Sequence, residues 1–208
     1  MKENGKRRLS QAMVFLLLFG VVSLLSDMTH EGANSIQGPY LSMIGALDAT
    51  IGFISGLGEL LGYSLRFVFG RIADKTKKYW TLTIIGYLID TITVPLLAFV
   101  GPHCWIWACV LLSIQRIGKA VKKPAKDTIL SFAATQEKVG RSFGIQKMLD
   151  QIGAFLGPLF LYIIMLFRTD GDTYKTYAFC FLFLLIPAIA TIGLLFFTKH
   201  KFPNSDKF

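Results

Sequence analysis

The sequence lacks the patterns by which most enzymes announce themselves. It has no Gly-x-Ser-x-Gly elbow, no His-Glu-x-x-His pair, no spaced aspartate cluster of a lipid-phosphate transferase and no Walker phosphate loop. No cofactor is implied, an enzyme is not expected, and ATP is not expected to act directly. Cysteine is scarce as well. Cys104, Cys109 and Cys180 are odd in number and lack metal-ligand spacing, so they read as small apolar fillers. Charge is thin, at 17% of residues, where soluble domains carry roughly 25%. What charge there is leans basic, with 22 Lys and Arg against 13 Asp and Glu. A nucleic-acid surface needs a contiguous basic face outside the apolar segments. Here the cations are dispersed, which argues against a nucleic-acid partner.

Apolar sequence is what the chain has in quantity. Hydrophobic residues make up 53% and the mean hydropathy is +0.52. A helix needs about 20 mostly apolar residues to cross a bilayer, and six such stretches are expected near 12–44, 47–70, 79–100, 104–134, 141–167 and 176–198. The first and fourth are too long for one straight crossing, which implies tilt, a break or an end leaving the bilayer. Residues 1–11 and 199–208 then form tails around a transmembrane domain at 12–198. The leader through Arg8 followed by Ala12–Leu25 has the look of a signal peptide, but no small-x-small cleavage site follows. Alternate flanks are basic. Lys2, Lys6, Arg7 and Arg8, then Arg71, Lys75, Lys77 and Lys78, then Lys138 and Arg141, then Lys199, Lys201 and Lys207 lie on one side, with only Arg168 and Lys175 on the other. Short basic loops stay in the cytoplasm. The expectation is a multi-pass inner-membrane protein with both termini cytoplasmic.

Four of these stretches carry ionisable groups, which cost a few kcal/mol each inside a membrane and normally face a cavity or one another. At 100° per residue, Ser23, Asp27, His30, Glu31, Asn34 and Gln37 share a face about 120° wide on the first span. Arg116, Lys119, Lys123, Lys126 and Asp127 share one on the fourth, with Lys122 on its shoulder and Leu112 taken as lipid-facing. Lys126 and Asp127 are also candidates for the water boundary. Ser55, Glu59, Gly62 and Arg66 line up on the second span, and Lys147, Asp150 and Gln151 on the fifth. Asp90 is the lone charge of the third. Each group serves either as a structural ion pair or as part of a wet cavity. Spans 1 and 4 are the most polar, 2 and 5 are glycine-rich, and 3 and 6 are the least charged. That recurrence suggests a 3+3 repeat of the kind found in transporters. Pro124 and Gly157-Pro158 are expected to bend their helices.

The loop after the second span reads Gly70-Arg71-Ile72-Ala73-Asp74-Lys75-Thr76-Lys77-Lys78. Its glycine, acid and basic cluster resemble the signature of the major facilitator superfamily, with Thr76 where a second glycine is usual. The segment Ser26-Asp27-Met28-Thr29-His30-Glu31-Gly32 with Gly38-Pro39-Tyr40-Leu41 resembles the first helix of one bacterial branch. Gly58 to Arg66, Arg116-Ile117-Gly118-Lys119 and Asp150 to Ala154 share that resemblance. Gly153-Ala154-Phe155-Leu156-Gly157-Pro158 is similar to a fifth-helix motif of exporters, truncated here. Lys122 and Lys126 stand where arginines are expected. The resemblance implies an all-α polytopic membrane protein whose six helices form one half of a twelve-helix fold.

Secondary transport of a small molecule by alternating access is then expected, proton-coupled and leaning to export as an antiporter. A non-transporting receptor or inactive half-gene product is the alternative, and a membrane-embedded enzyme a more distant one. Asp27, Glu31, Asn34, Glu59, Arg66, Asp90, Arg116, Lys119, Lys123 and Asp150 are the cavity or coupling candidates. Gly70, Asp74, Lys75 and Lys78 are the gating candidates, the glycine as a tight turn, and Gly153, Gly157 and Pro158 form the helix 5 motif. Partners would be membrane lipid, a small-molecule substrate, a proton or other coupling ion, and a second six-helix half or a second copy. The chain is expected to be a fragment, a split gene product or a dimerising half.

Overall fold

The computed structural model describes residues 10–135, 139–168 and 171–203. The flanking cations Lys2, Lys6, Arg7, Arg8, Lys138 and Lys207 lie outside those residues. Among the described residues, seven α-helices run α1 (Gln11–Met43), α2 (Asp48–Thr76), α3 (Tyr79–Leu96), α4 (Trp105–Thr135), α5 (Val139–Phe167), α6 (Thr173–Phe183) and α7 (Leu185–Lys201). Ser10 caps α1 by accepting a hydrogen bond from the Met13 N–H at 3.1 Å. The helix then continues for 33 residues through Pro39, about 50 Å at 1.5 Å per residue. It exceeds a bilayer core of about 30 Å without a break, and α4 likewise runs unbroken through Pro124. Gly45, at φ 102°, lets the chain leave α1 in a turn closed by the Ala46 N–H donating to the Leu41 carbonyl.

Two expectations about breaks need correction. Gly70 forms no turn, because α2 continues six residues past it, and the chain reverses at Lys77 with φ 53°. The expected sixth span is present as Thr173–Lys201, but it is not a smooth helix. Pro187 has no N–H to offer the Phe183 carbonyl, and the helix is interrupted at Leu184. Among the described residues, Gln11–Met43, Tyr79–Phe99, Val139–Phe167 and Thr173–Lys201 are long and apolar enough to cross a membrane. α2 and α4 are long but carry more charge.

Packing is set by small residues. α5 lies along α1 because a side chain at Gly153 or Gly157 would run into the Leu24 and Met28 carbonyl oxygens. Gly86 and Gly118 bring α3 and α4 equally close, and Gly58 sits under the Arg116 side chain where α2 meets α4. α1 also packs along α7. One apolar cluster gathers Tyr40, Ile44, Leu97, Leu112, Leu161 and Phe181. Leu112 is therefore interior and not lipid-facing: it precedes Arg116 by four residues and shares its face. The Tyr40 hydroxyl donates to the Leu97 and Val100 carbonyls at 2.9 and 3.1 Å. A second cluster holds Phe15, Phe19, Tyr87, Ile129, Leu130 and Leu195. Between the two, the helices meet through polar side chains. α2 buries only Gly58, Gly62 and Ala73, and α5 only one narrow stripe. Phe53, Leu60, Phe67, Phe155, Tyr162 and Phe167 are left exposed on them.

Candidate functional site

The polar middle consists of a buried seam and a more open cleft. In the seam, Asp90 from α3 meets Lys122 from α4 in a short ion pair, with side chains 1% and 6% exposed. Lys122 also donates to Ser26 Oγ at 2.6 Å and lies 4.2 Å from the centre of the Tyr87 ring. His30 Nδ1 stands 2.9 Å from Gln115 Nε2 and 3.5 Å from Asp90 Oδ1. Further along, the Tyr87 hydroxyl is 3.4 Å from Ser23 Oγ. Ser23 Oγ accepts from Gln146 Nε2 at 2.7 Å, and the same amide donates to Asp150 Oδ1 at 3.2 Å. Lys126 Nζ completes the line 3.6 Å from Asp150. Four helices are joined through their own desolvated side chains, so each charge has a counter-charge or a dipole in place of water.

The cleft lies between α1, α2 and α4. Arg116 Nη1 donates to Glu59 Oε1 at 2.7 Å. Lys119 Nζ is 3.6 Å from Glu31 Oε1, and Glu31 Oε2 accepts from Asn34 Nδ2 at 3.2 Å. Arg66 stacks on Tyr63 at 4.4 Å, and its Nε is buried without a hydrogen-bond partner. Glu59, Tyr63, Arg66, Arg116 and Lys119 line a cavity of about 70 Å³ together with His30. Its lining shares Gly58, Gly62 and Arg116 with an apolar cleft of about 430 Å³ that runs between α2 and α4 toward Trp105.

Asp27 belongs to neither set of pairs. It is half-buried and has no hydrogen bond or ion pair among the described residues, although it sits in the field of Lys122 and Lys126. Neither Asp27 nor Glu31 pairs with Arg66 or Arg116, because Glu59 takes Arg116 and Lys119 takes Glu31.

Four other expectations are displaced. Lys123 joins no cluster, since it forms a half-exposed pair with Asp127 at 3.4 Å one turn on. Lys126 lies inside the seam, 5% exposed, and not at the water boundary. Cys109 and Cys180 are buried fillers, whereas Cys104 is exposed. Lys147 and Gln151 are exposed on α5 while Asp150 turns inward. Lys122, Gln115, Gln146, Ser26 and Tyr87 were not among the candidates. The signal for Lys122 was its place on the shoulder of the α4 face; the uncharged members gave none.

Gly70 touches the Pro124 side of α4, since a Cβ there would lie 3.7 Å from the Pro124 Cβ. Asp74, Lys75 and Lys78 are exposed at the end of α2, and Thr76 Oγ1 accepts from the Lys78 N–H at 3.5 Å. Pro158 remains inside a continuous α5.

The family profile described as Major Facilitator Superfamily matches residues 8–207. Among curated proteins, uncharacterized proteins of Mycobacterium tuberculosis and Mycobacterium bovis are each 40% identical over 194 residues, covering 93% of this chain and 46% of the relative. An uncharacterized MFS-type transporter of Methanocaldococcus jannaschii is 29% identical over 209 residues, covering 99% of this chain and 50% of the relative. The chain thus spans about half the length of the curated relatives it matches. No solved structure matches.

Proposed function

Because the chain belongs to the major facilitator superfamily, we propose that it is one six-span half of a secondary transporter that works by alternating access. The all-helical, multi-pass membrane character supports this reading, and so does the packing. Exchanging α1 with α4, α2 with α5 and α3 with the α6–α7 pair turns the α1–α5 contact into α4–α2, and the α3–α4 contact into α6/α7–α1. A 3+3 repeat accounts for that pattern. The exposed apolar sides of α2 and α5 suit a second half or a second copy. The basic flanks favour cytoplasmic termini in the inner membrane.

Coupling is assigned to a proton carried by Asp27. The carrying observation is that Glu31, Glu59, Asp90 and Asp150 each have a cation within 4 Å, whereas Asp27 has none. A carboxylate without a fixed partner can gain and lose a proton without breaking a structural pair. Gly153 and Gly157 fit a close α1–α5 seam, and the lean to export rests on the motif they share with exporters. A receptor or a membrane enzyme would need no unpaired acid between two charged clusters.

The test is pH-gradient-driven accumulation of candidate substrates in sealed vesicles, with the second half co-expressed. Asp27→Asn should abolish gradient-driven accumulation yet leave downhill exchange intact. Accumulation by Asp27→Asn equal to that of the unmodified protein would remove Asp27 from coupling. Activity in detergent with no gradient would favour the enzyme reading.

A further inference from the structure

We propose that the cleft between α2 and α4 binds an amphiphilic organic anion, with its apolar body between the helices and its acidic group at Arg66, Arg116 and Lys119. The inference rests on the transporter reading, because it names the substrate class of that site.

Three features carry it. The first is charge. Glu59 and Glu31 pair with Arg116 and Lys119, which leaves Arg66 as the cation of the three without a carboxylate in contact. The second is Arg66 itself. Among the described residues it has no ion pair, and its buried Nε has no hydrogen bond. An arginine that far into a spanning helix is costly unless an anion or water answers it. The guanidinium lies over the Tyr63 ring at 4.4 Å, and its planar fork of donors suits a two-oxygen anion such as a carboxylate or sulfonate.

The third feature is shape. The cavity at Arg66 adjoins the 430 Å³ cleft lined by Leu57, Leu61, Ile106 and Ile114, and the two share Gly58, Gly62 and Arg116. That volume lies within the range of small-molecule sites, which are mostly apolar with a few placed polar groups. Gly58 and Gly62 keep the α2 wall low where the head would enter. A cation would meet Arg66 and Arg116 before any free acid, and a wholly polar solute would leave the leucine and isoleucine walls unmatched.

The probe pair is dansylglycine, an apolar ring system with a carboxylate, and dansylcadaverine, the same ring with an amine. Trp105 lines the cleft, so binding to the 208-residue chain in nanodiscs reads out as energy transfer from tryptophan, with empty nanodiscs subtracted. Saturable transfer to dansylglycine is expected, displaced by octanoate and not by octylamine. Arg66→Gln should weaken dansylglycine binding by about tenfold or more, the size of one lost charge-assisted hydrogen bond. Arg66 holds no acid in place, so its removal strands none, and an unchanged melting profile in Arg66→Gln confirms its fold.

Equal binding of the two probes, displacement by octylamine, or unchanged dansylglycine affinity in Arg66→Gln would overturn the proposal. The competition on unmodified protein decides even if the variant fails to fold. Vesicle flux separates the two readings. Anion binding without gradient-driven movement would sink transport and leave the site, whereas movement of dansylcadaverine alone would sink the anion site and leave transport.

Discussion

Asp90 and Lys122 allow a quantitative test of how the polar seam holds the helices. Both side chains are almost wholly removed from solvent. Removing one member of a buried pair strands a charge and costs about 3–5 kcal/mol, whereas replacing both with packed apolar groups is often neutral. The surroundings make the two single changes unequal. Asp90→Asn leaves the Lys122 ammonium with no acid in contact, only the Ser26 hydroxyl and the Tyr87 ring, with Asp27 farther off. Lys122→Met leaves Asp90 with the Ser26 hydroxyl and the His30 ring, each at 3.5 Å. Asp90→Asn should therefore fall at the upper end, near 5 kcal/mol, and Lys122→Met near 3. The double variant Asp90→Leu/Lys122→Met should lie closer to the unmodified protein than either single change. Folded domains hold a margin of about 5–15 kcal/mol, so the effect is large enough to measure as a shift in the SDS-unfolding midpoint followed by circular dichroism. Single changes within about 1 kcal/mol of the parent, or a double variant equal to the sum of the singles, would refute the reasoning.

Gly157→Leu should separate α1 from α5, because its side chain would collide with the Met28 carbonyl and the Gly32 backbone. Loss of a few kcal/mol is expected in the same unfolding assay, while Gly144→Leu, on an open face, should change little. Asp74→Asn should leave folding of this half unaffected, since Asp74 is exposed. It should slow transport in the complete protein if the α2 end gates the cytoplasmic side, and cysteine labelling there would show the shifted populations. Asp172 caps α6 by accepting from the Lys175 N–H at 3.2 Å, and Lys175 Nζ is 3.0 Å from the other carboxyl oxygen. These contacts hold its carboxyl below the usual aspartate value. A depressed folded value means the cap stabilises above the ordinary aspartate range and is lost as pH falls through the lowered one. The protection of the Lys175 amide, relative to its intrinsic exchange rate at each pH, should fall on acidification through that window and be low at all pH in Asp172→Ala.

How much of this was legible depended on whether a fact lives on one helix or between two. The polar faces of α1 and α4 follow from the 100° rotation per residue, which brings Asp27, Glu31, Arg116 and Lys119 toward the interior. Partner choice does not follow, because it is set by how two helices are rotated against each other. Asp90 read as a lone charge since its counter-ion lies 32 residues away on α4. Lys122 sat at the edge of the counted face, yet the Gly86–Gly118 approach brings α3 near enough for that edge to be interior. Leu112 erred the same way. Gly70 suggested a turn because glycine tolerates positive φ, but Lys77 adopts it and Gly70 serves the approach to Pro124. The interruption at Leu184 needed only Pro187, and was missed because uniform hydropathy from Tyr177 to Thr198 masks a backbone defect.

The seam also constrains the order in which the chain is assembled. α4 carries Arg116, Lys119, Lys122, Lys123 and Lys126, and a lysine or arginine at the centre of an inserting helix costs about 2.5–3.5 kcal/mol on the translocon scale. Alone, it would not partition from the translocon into lipid. The acids that answer Arg116, Lys119 and Lys122 are Glu59, Glu31 and Asp90, all synthesised earlier, on α2, α1 and α3. Only Asp150, which answers Lys126, comes afterwards. Biogenesis thus requires the first three helices to wait beside the channel with their carboxylates presented. A ribosome stalled just after α4 should show that helix integrated when Glu31, Glu59 and Asp90 are present, and still aqueous when they are neutralised together.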